Sequence, residues 1–210
     1  LESDALWEMM SDFGFGSYVT DGFPGESRGR LHHHTEWGEI GKATMSYGYG
    51  ITVTPIQLAQ AYSVIANNGL YTPLSLRKGL FNESKRVINE DTAKALLSML
   101  EKVVEDGTSK KAAVNGYRIG GKSGTAWKTS GSGGYSTDRY RSIFAGIAPI
   151  DDPRLVAVVF IEEPTGEFYY GGDVAAPVFS EIISQSLQLL SIPPHGFIRK
   201  SDLIADNKKD

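Results

Sequence analysis

The chain has no cysteine, so no disulfide framework can staple it; an oxidising compartment is neither required nor excluded. It has no apolar run near the roughly 20 residues that a membrane-spanning helix needs. No basic-then-apolar leader opens it, and Leu1 to Phe13 fall inside an amphipathic pattern, as expected of a cut through a larger protein. Basic charge is not in excess. There are 21 Lys and Arg against 25 Asp and Glu, and the basic residues are dispersed, which argues against a general nucleic-acid binder. What is present is ordinary: 210 residues, 40% hydrophobic and 22% charged, enough for one domain with a sizeable core. We expect that domain over residues 1–191 and a polar tail over 192–210, which carries Pro193-Pro194 and a lysine- and aspartate-rich end.

Several helices announce their starts. Ser3 or Asp4 is expected to cap a short helix that ends near Gly14 or Gly16. Residues 14–36 read as a long structured loop, and Trp37 to Gly50 as a small-residue and aromatic segment. Thr54-Pro55 predicts a helix whose apolar side is Ile56, Ala59, Tyr62, Val64, Ile65 and Ala66, ended by Gly69. Residues 70–85 break into short strand and turn pieces. Asn89 predicts a second cap, above a stripe of Ala93, Leu96, Leu97, Leu100, Val103 and Val104 that Gly107 terminates. A polar loop over 105–116 follows. Strands are expected over 117–127, 140–149 and 154–161, the last two joined by a turn at Asp151-Asp-Pro153. The glycine- and serine-rich Lys128–Tyr135 reads as a hairpin tip. Asp173 is expected to cap a final helix, Ala175 to Leu190, that buries Val178, Phe179, Ile182, Ile183, Ser186, Leu187 and Leu190. Helices, then sequential strands, then a helix give an α+β domain: an antiparallel sheet covered by helices.

The stretch that carries chemistry is Tyr117 to Ala126, at whose centre stand one cation, Lys122, and two hydroxyls, Ser123 and Thr125, among closely spaced glycines. Glycine in a β-prone run lets a ligand approach the backbone of an edge strand; the alternative is a surface strand with a solvated lysine. Two other temptations fall away. His32-His33-His34 cannot all face one metal from a regular element, and no third ligand stands at suitable spacing, so a solvated loop is expected and no metal. Ser75-Leu-Arg-Lys78 spells Ser-x-x-Lys, whose chemistry wants both residues one turn apart on a helix. Pro73 and the extended pattern around it exclude that.

The words stand in a telling order. Gly22-Phe-Pro-Gly-Glu-Ser27, Tyr47-Gly-Tyr-Gly50 and Val53-Thr-Pro-Ile-Gln-Leu-Ala59 precede Lys122-Ser-Gly-Thr125. Tyr140-Arg-Ser with Phe144-Ala-Gly, then Tyr169-Tyr-Gly-Gly, follow it. Together they resemble the transpeptidase domain of class B penicillin-binding proteins, on the division-specific side, from near residue 1 to about residue 195. The fold implied is the penicillin-binding protein and serine β-lactamase type, incomplete on its N-terminal side. That family joins Ser-x-x-Lys, Ser-x-Asn and Lys-Ser/Thr-Gly-Thr in one cleft. Only the last stands here; no serine in the chain begins Ser-x-Asn.

The resemblance implies roles residue by residue. Lys122 makes the site positive, the Thr125 N–H is one oxyanion donor, and the Ser123 and Thr125 hydroxyls hold the substrate or β-lactam carboxylate. Gly124, Tyr140, Tyr169 and Tyr170 line the cleft. No cofactor is implied. The implied partners are D-Ala-D-Ala stem peptides, β-lactams, the upstream half of the domain and divisome membrane proteins. The implied location is the periplasmic side of the bacterial inner membrane, through an upstream anchor. An elongation-specific transpeptidase and a non-catalytic binding or sensor domain of the same fold stay open as readings.

Overall fold

The computed structural model describes residues 2–20, 22–79, 83–129 and 135–195. The chain opens with α1 (Ser3–Asp12), a 3-10 turn (His34–Glu36), α2 (Glu39–Met45) and α3 (Pro55–Ala66). Two short strands, β1 (Leu70–Tyr71) and β2 (Lys85–Arg86), pair antiparallel before α4 (Glu90–Glu105). A 3-10 turn (Lys110–Ala112) leads to β3 (Gly120–Thr129), β4 (Tyr135–Ala148), β5 (Leu155–Glu162) and α5 (Gly171–Leu189). Side chains that complete the first turn fix two of these starts. Thr54 accepts from Gln57 N–H while the Gln57 side chain accepts from Thr54 N–H, a reciprocal box ahead of Pro55. Asn89 accepts from Thr92 N–H at 2.7 Å, with Glu90 and Asp91 in the first turn, where the helix dipole favours acid.

The main sheet has the order β3-β4-β5, antiparallel throughout, with Thr125 opposite Ser142 and Phe144 opposite Val159. Strand alternation divides its residues between two layers. One face carries Phe144, whose ring lies 4.7 Å from that of Phe179 on α5; Ala175, Ala176, Ile183 and Leu187 are buried with it. The other face carries Ile147, packed with Leu97, Tyr62 and Ile65 of α4 and α3. So β4 is the centre of a helix–sheet–helix sandwich, and β3 and β5 are its edges among the described residues.

Several expectations need correction. Helix α1 starts after Glu2 without a side-chain cap; Asp4 lies in its first turn and accepts from Ala5 N–H. Helix α2 falls within the small-residue and aromatic segment, for which no element was expected, because its glycines and small residues mask a single short helical span. Helix α5 begins at Gly171 with Tyr170 as N-cap, so Asp173 is a first-turn residue. Val178, Ile182 and Leu190 are exposed rather than buried, since α5 presents only one stripe to the sheet. The hairpin tip over 130–134 and most of the tail, residues 196–210, lie outside the described residues. The histidines are where the solvated reading put them, His32 and His33 being exposed; the His33 ring also lies 4.7 Å from Trp7 and 4.3 Å from His34, and His32 pairs with Glu36.

Apolar periodicity also hid buried polar residues, Gln57 and Glu101 among them. Gln57 is fully buried, and its amide donates to the carbonyls of Ser17 and Arg28, both at 2.8 Å, tying residues 14–30 to α3. Glu101 on α4 is buried and accepts two bonds from Arg118, at 2.6 and 2.7 Å, just ahead of β3. Those guanidinium bonds hold the Glu101 carboxyl below the ordinary carboxylate value. A carboxyl lowered on folding adds stability above its unfolded pKa and loses it as pH falls through the folded one. Glu101→Gln is therefore expected to destabilise the protein by about 1–3 kcal/mol at neutral pH. Urea unfolding should show the difference between the two proteins shrinking below pH of about 4; a pH-independent difference would contradict the pairing.

Candidate functional site

The sheet edge at β3 is where the chemistry-bearing residues meet. Among the described residues β3 pairs only with β4, which leaves its outer edge open. Ser123 and Thr125 lie on the α5 face of the strand and are half-buried, while Lys122 and Gly124 alternate to the opposite side and are exposed. Because β3 is an edge, groups from both sides reach a common space. Lys122, Ser123 and Thr125 line one cavity of ≈ 500 Å³ with Thr108, Tyr170, Gly171, Gly172 and Asp173.

Charge and hydrogen bonding give that cavity a sign. Asp173 is matched by Lys111, 2.8 Å away. Among the described residues no carboxylate pairs with Lys122, whose ammonium donates to the Ser123 carbonyl at 2.7 Å. The net character of the lining is therefore cationic, with hydroxyls beside it. Thr108 and Ser123 hydroxyls stand 3.4 Å apart, and Thr125 Oγ1 accepts from the backbone N–H of Gly171 at 3.0 Å. Such a set of donors and one cation suits a carboxylate.

The aromatic residues gather at one end. The Tyr140 and Tyr169 rings stack with centroids 4.0 Å apart and planes 15° from parallel, and Tyr169 O–H donates to the Tyr170 hydroxyl at 3.2 Å. That bond to Tyr170 pushes the Tyr169 phenol up to about 12, so it is neutral at any physiological pH. Of the three, only Tyr170 lines the cavity itself; Tyr140 and Tyr169 back it, and Gly124 does not line it. Ser75 is far from helical: its hydroxyl accepts from Arg77 N–H at 3.1 Å in an extended turn, with no helix to place Lys78 beside it.

A family model described as the penicillin binding protein transpeptidase domain matches residues 1–184. The chain belongs to that family. A probable peptidoglycan D,D-transpeptidase, PbpC of Pseudomonas aeruginosa, is 45% identical over 97% of this chain and 36% of its own length. The peptidoglycan D,D-transpeptidase FtsI of Escherichia coli K12 is 40% identical over 92% of this chain and 33% of its own length. The apo TP domain of Burkholderia pseudomallei penicillin-binding protein 3 superposes with a TM-score of 0.85 at 43% identity, covering 93% of this chain and 60% of that one. The chain thus spans roughly a third of these curated relatives' length, and the transpeptidase fold that the resemblance implied is the fold it has.

Within this transpeptidase-family cavity, sequence reading overlooked Thr108, Gly171, Gly172 and Asp173 as lining residues. Thr108 sits in a polar loop with no motif around it, so nothing local could reveal it. Gly171 left a weak signal, as one of two adjacent glycines after aromatics. In the structure a Cβ there would stand 2.3 Å from the Ile143 carbonyl oxygen and 2.5 Å from that of Gly124. Only glycine lets the first turn of α5 lie against both strands. Gly171→Ala should cost about 1–3 kcal/mol by overpacking, read as a lowered midpoint in thermal unfolding. An unchanged midpoint would mean that this turn is not seated on the sheet.

Proposed function

We propose that this chain is part of a peptidoglycan D,D-transpeptidase that cross-links stem peptides during septal cell-wall synthesis through a serine acyl-enzyme, and that β-lactams acylate the same site. The observation that carries this reading is the convergence of Lys122, Ser123 and Thr125 on one cationic cavity at an open strand edge, in a member of this family. The stem peptide ends in D-Ala-D-Ala and so carries a terminal carboxylate. The hydroxyls of Ser123 and Thr125 bind that anion, and Lys122 supplies the favourable potential.

The chemistry then follows. A serine oxygen supplied from outside this chain attacks the carbonyl of the penultimate D-Ala, the terminal D-Ala leaves with a proton, and an amine of a neighbouring stem displaces the serine. Each attack passes through a tetrahedral oxyanion, for which fixed backbone donors are worth several kcal/mol. Thr125 N–H is one donor. Residues two apart in a strand repeat their N–H and C=O directions. Thr125 N–H therefore points the way the Ser123 carbonyl does, toward the Lys122 ammonium that bonds it. Tyr170, backed by the stacked Tyr140 and Tyr169, forms the aromatic wall against which the rest of the ligand rests.

No helix among the described residues is long and apolar enough to cross a membrane. In this reading the periplasmic location follows from an anchor outside the chain, and divisome membrane proteins are partners of the whole protein. The test is covalent labelling. The isolated chain should take no label from a fluorescent penicillin, while the full-length protein that contains it should be labelled on a serine outside it. Labelling of the isolated chain would place a nucleophile within it and overturn the division of roles.

A further inference from the structure

The Ser142 hydroxyl has no role in the acyl-transfer scheme, although its position is unusual. Ser142 is fully buried in β4, directly opposite Thr125, and its hydroxyl donates to the carbonyl of Tyr169. Thr125 Oγ1 accepts from Gly171 N–H. Two hydroxyls side by side on one sheet face thus hold the 169–171 turn from both ends, one by a C=O and the other by an N–H. Between these two grips lies Tyr170, which lines the cavity and whose carbonyl accepts from Asp173 N–H and Val174 N–H to start α5.

This arrangement fixes a direction as well as a position. A hydroxyl oxygen that accepts a hydrogen bond still has one proton to give. With Gly171 N–H held at its oxygen, Thr125 sends its proton elsewhere, and the open side is the cavity it shares with Ser123 and Lys122. Gly171 N–H stays at that oxygen only while the planar peptides before it keep their orientation. Ser142 sets that orientation through the Tyr169 carbonyl, and the stacked Tyr140 ring, two residues away on the same strand face, supports it.

We propose that Ser142 is a positioning residue for carboxylate recognition: acting through the Tyr169–Gly171 turn, it fixes the Thr125 hydroxyl as a donor toward the anionic end of the ligand. The proposal rests on the transpeptidase reading. It separates Ser142 from a merely structural serine, because its effect is confined to ligands that carry the anion.

The experiment compares acylation of the full-length protein by benzylpenicillin and by its methyl ester, followed by intact mass. Ser142→Ala removes the donor, and Ser142→Cys keeps the shape with a weak donor. Both are expected to lower the second-order rate for benzylpenicillin about tenfold while the ester rate stays within about twofold. Ser142→Thr, which retains the hydroxyl, should restore the preference for the free acid. A fall by the same factor for both probes in Ser142→Ala and Ser142→Cys would make the serine structural and overturn the proposal, as would unchanged rates. Thermal unfolding of each variant identifies a general loss of fold, and Ser142→Cys then decides. If the parent protein reacts with neither probe, the transpeptidase reading itself falls, and this proposal with it.

Discussion

The seat of α5 on the central strand β4 is the contact from which the site derives. Phe144 and Phe179 meet in the core, and a side chain on Gly146 would stand 2.6 Å from the Phe179 ring. Burying two phenylalanines at this contact contributes several kcal/mol, and it sets how deeply the helix sits. Given that depth, the helix start at Gly171 touches the backbones of β3 and β4. The helix N-terminus then stands beside Thr125 instead of pointing into solvent. The lining of the cavity is thus placed by packing that begins two turns away from it.

The edge position of β3 does the rest. An inner strand would spend both sets of backbone groups on neighbours; among the described residues β3 leaves one set unpaired by any strand. Alternation would ordinarily separate Lys122 from Ser123 and Thr125, but at an edge both faces open onto the same cavity. Glu101 and Arg118 brace the entry to the strand from α4, and Lys111 matches Asp173 on the far side. The charges around the cavity are therefore satisfied in pairs, and Lys122 provides its cationic character.

Much of this was legible from residue order. Thr54-Pro55 and Asn89 marked helix starts because capping is local chemistry, and the sequential strands paired as neighbours. Lys122, Ser123 and Thr125 stand out as candidates because their pattern is a motif within one strand, and the fold brings them to one cavity. Other features depend on partners distant in sequence. The buried place of Gln57 is set by the carbonyls of Ser17 and Arg28, and that of Glu101 by Arg118, partners that no local pattern reveals. Thr108 reaches the cavity only through the fold, and Ser142 acquires meaning only opposite Thr125 and under Tyr169. The start of α5 was misjudged for a related reason: adjacent glycines usually break helices, and here they permit close contact with the sheet.

The most direct test of the account is a crystal structure of the full-length protein acylated by benzylpenicillin. The drug's carboxylate should lie within about 2.5–3.2 Å of the Ser123 and Thr125 hydroxyl oxygens, with the opened β-lactam carbonyl oxygen at the Thr125 N–H. A carboxylate bound away from β3, with Ser123 and Thr125 facing only solvent, would contradict it.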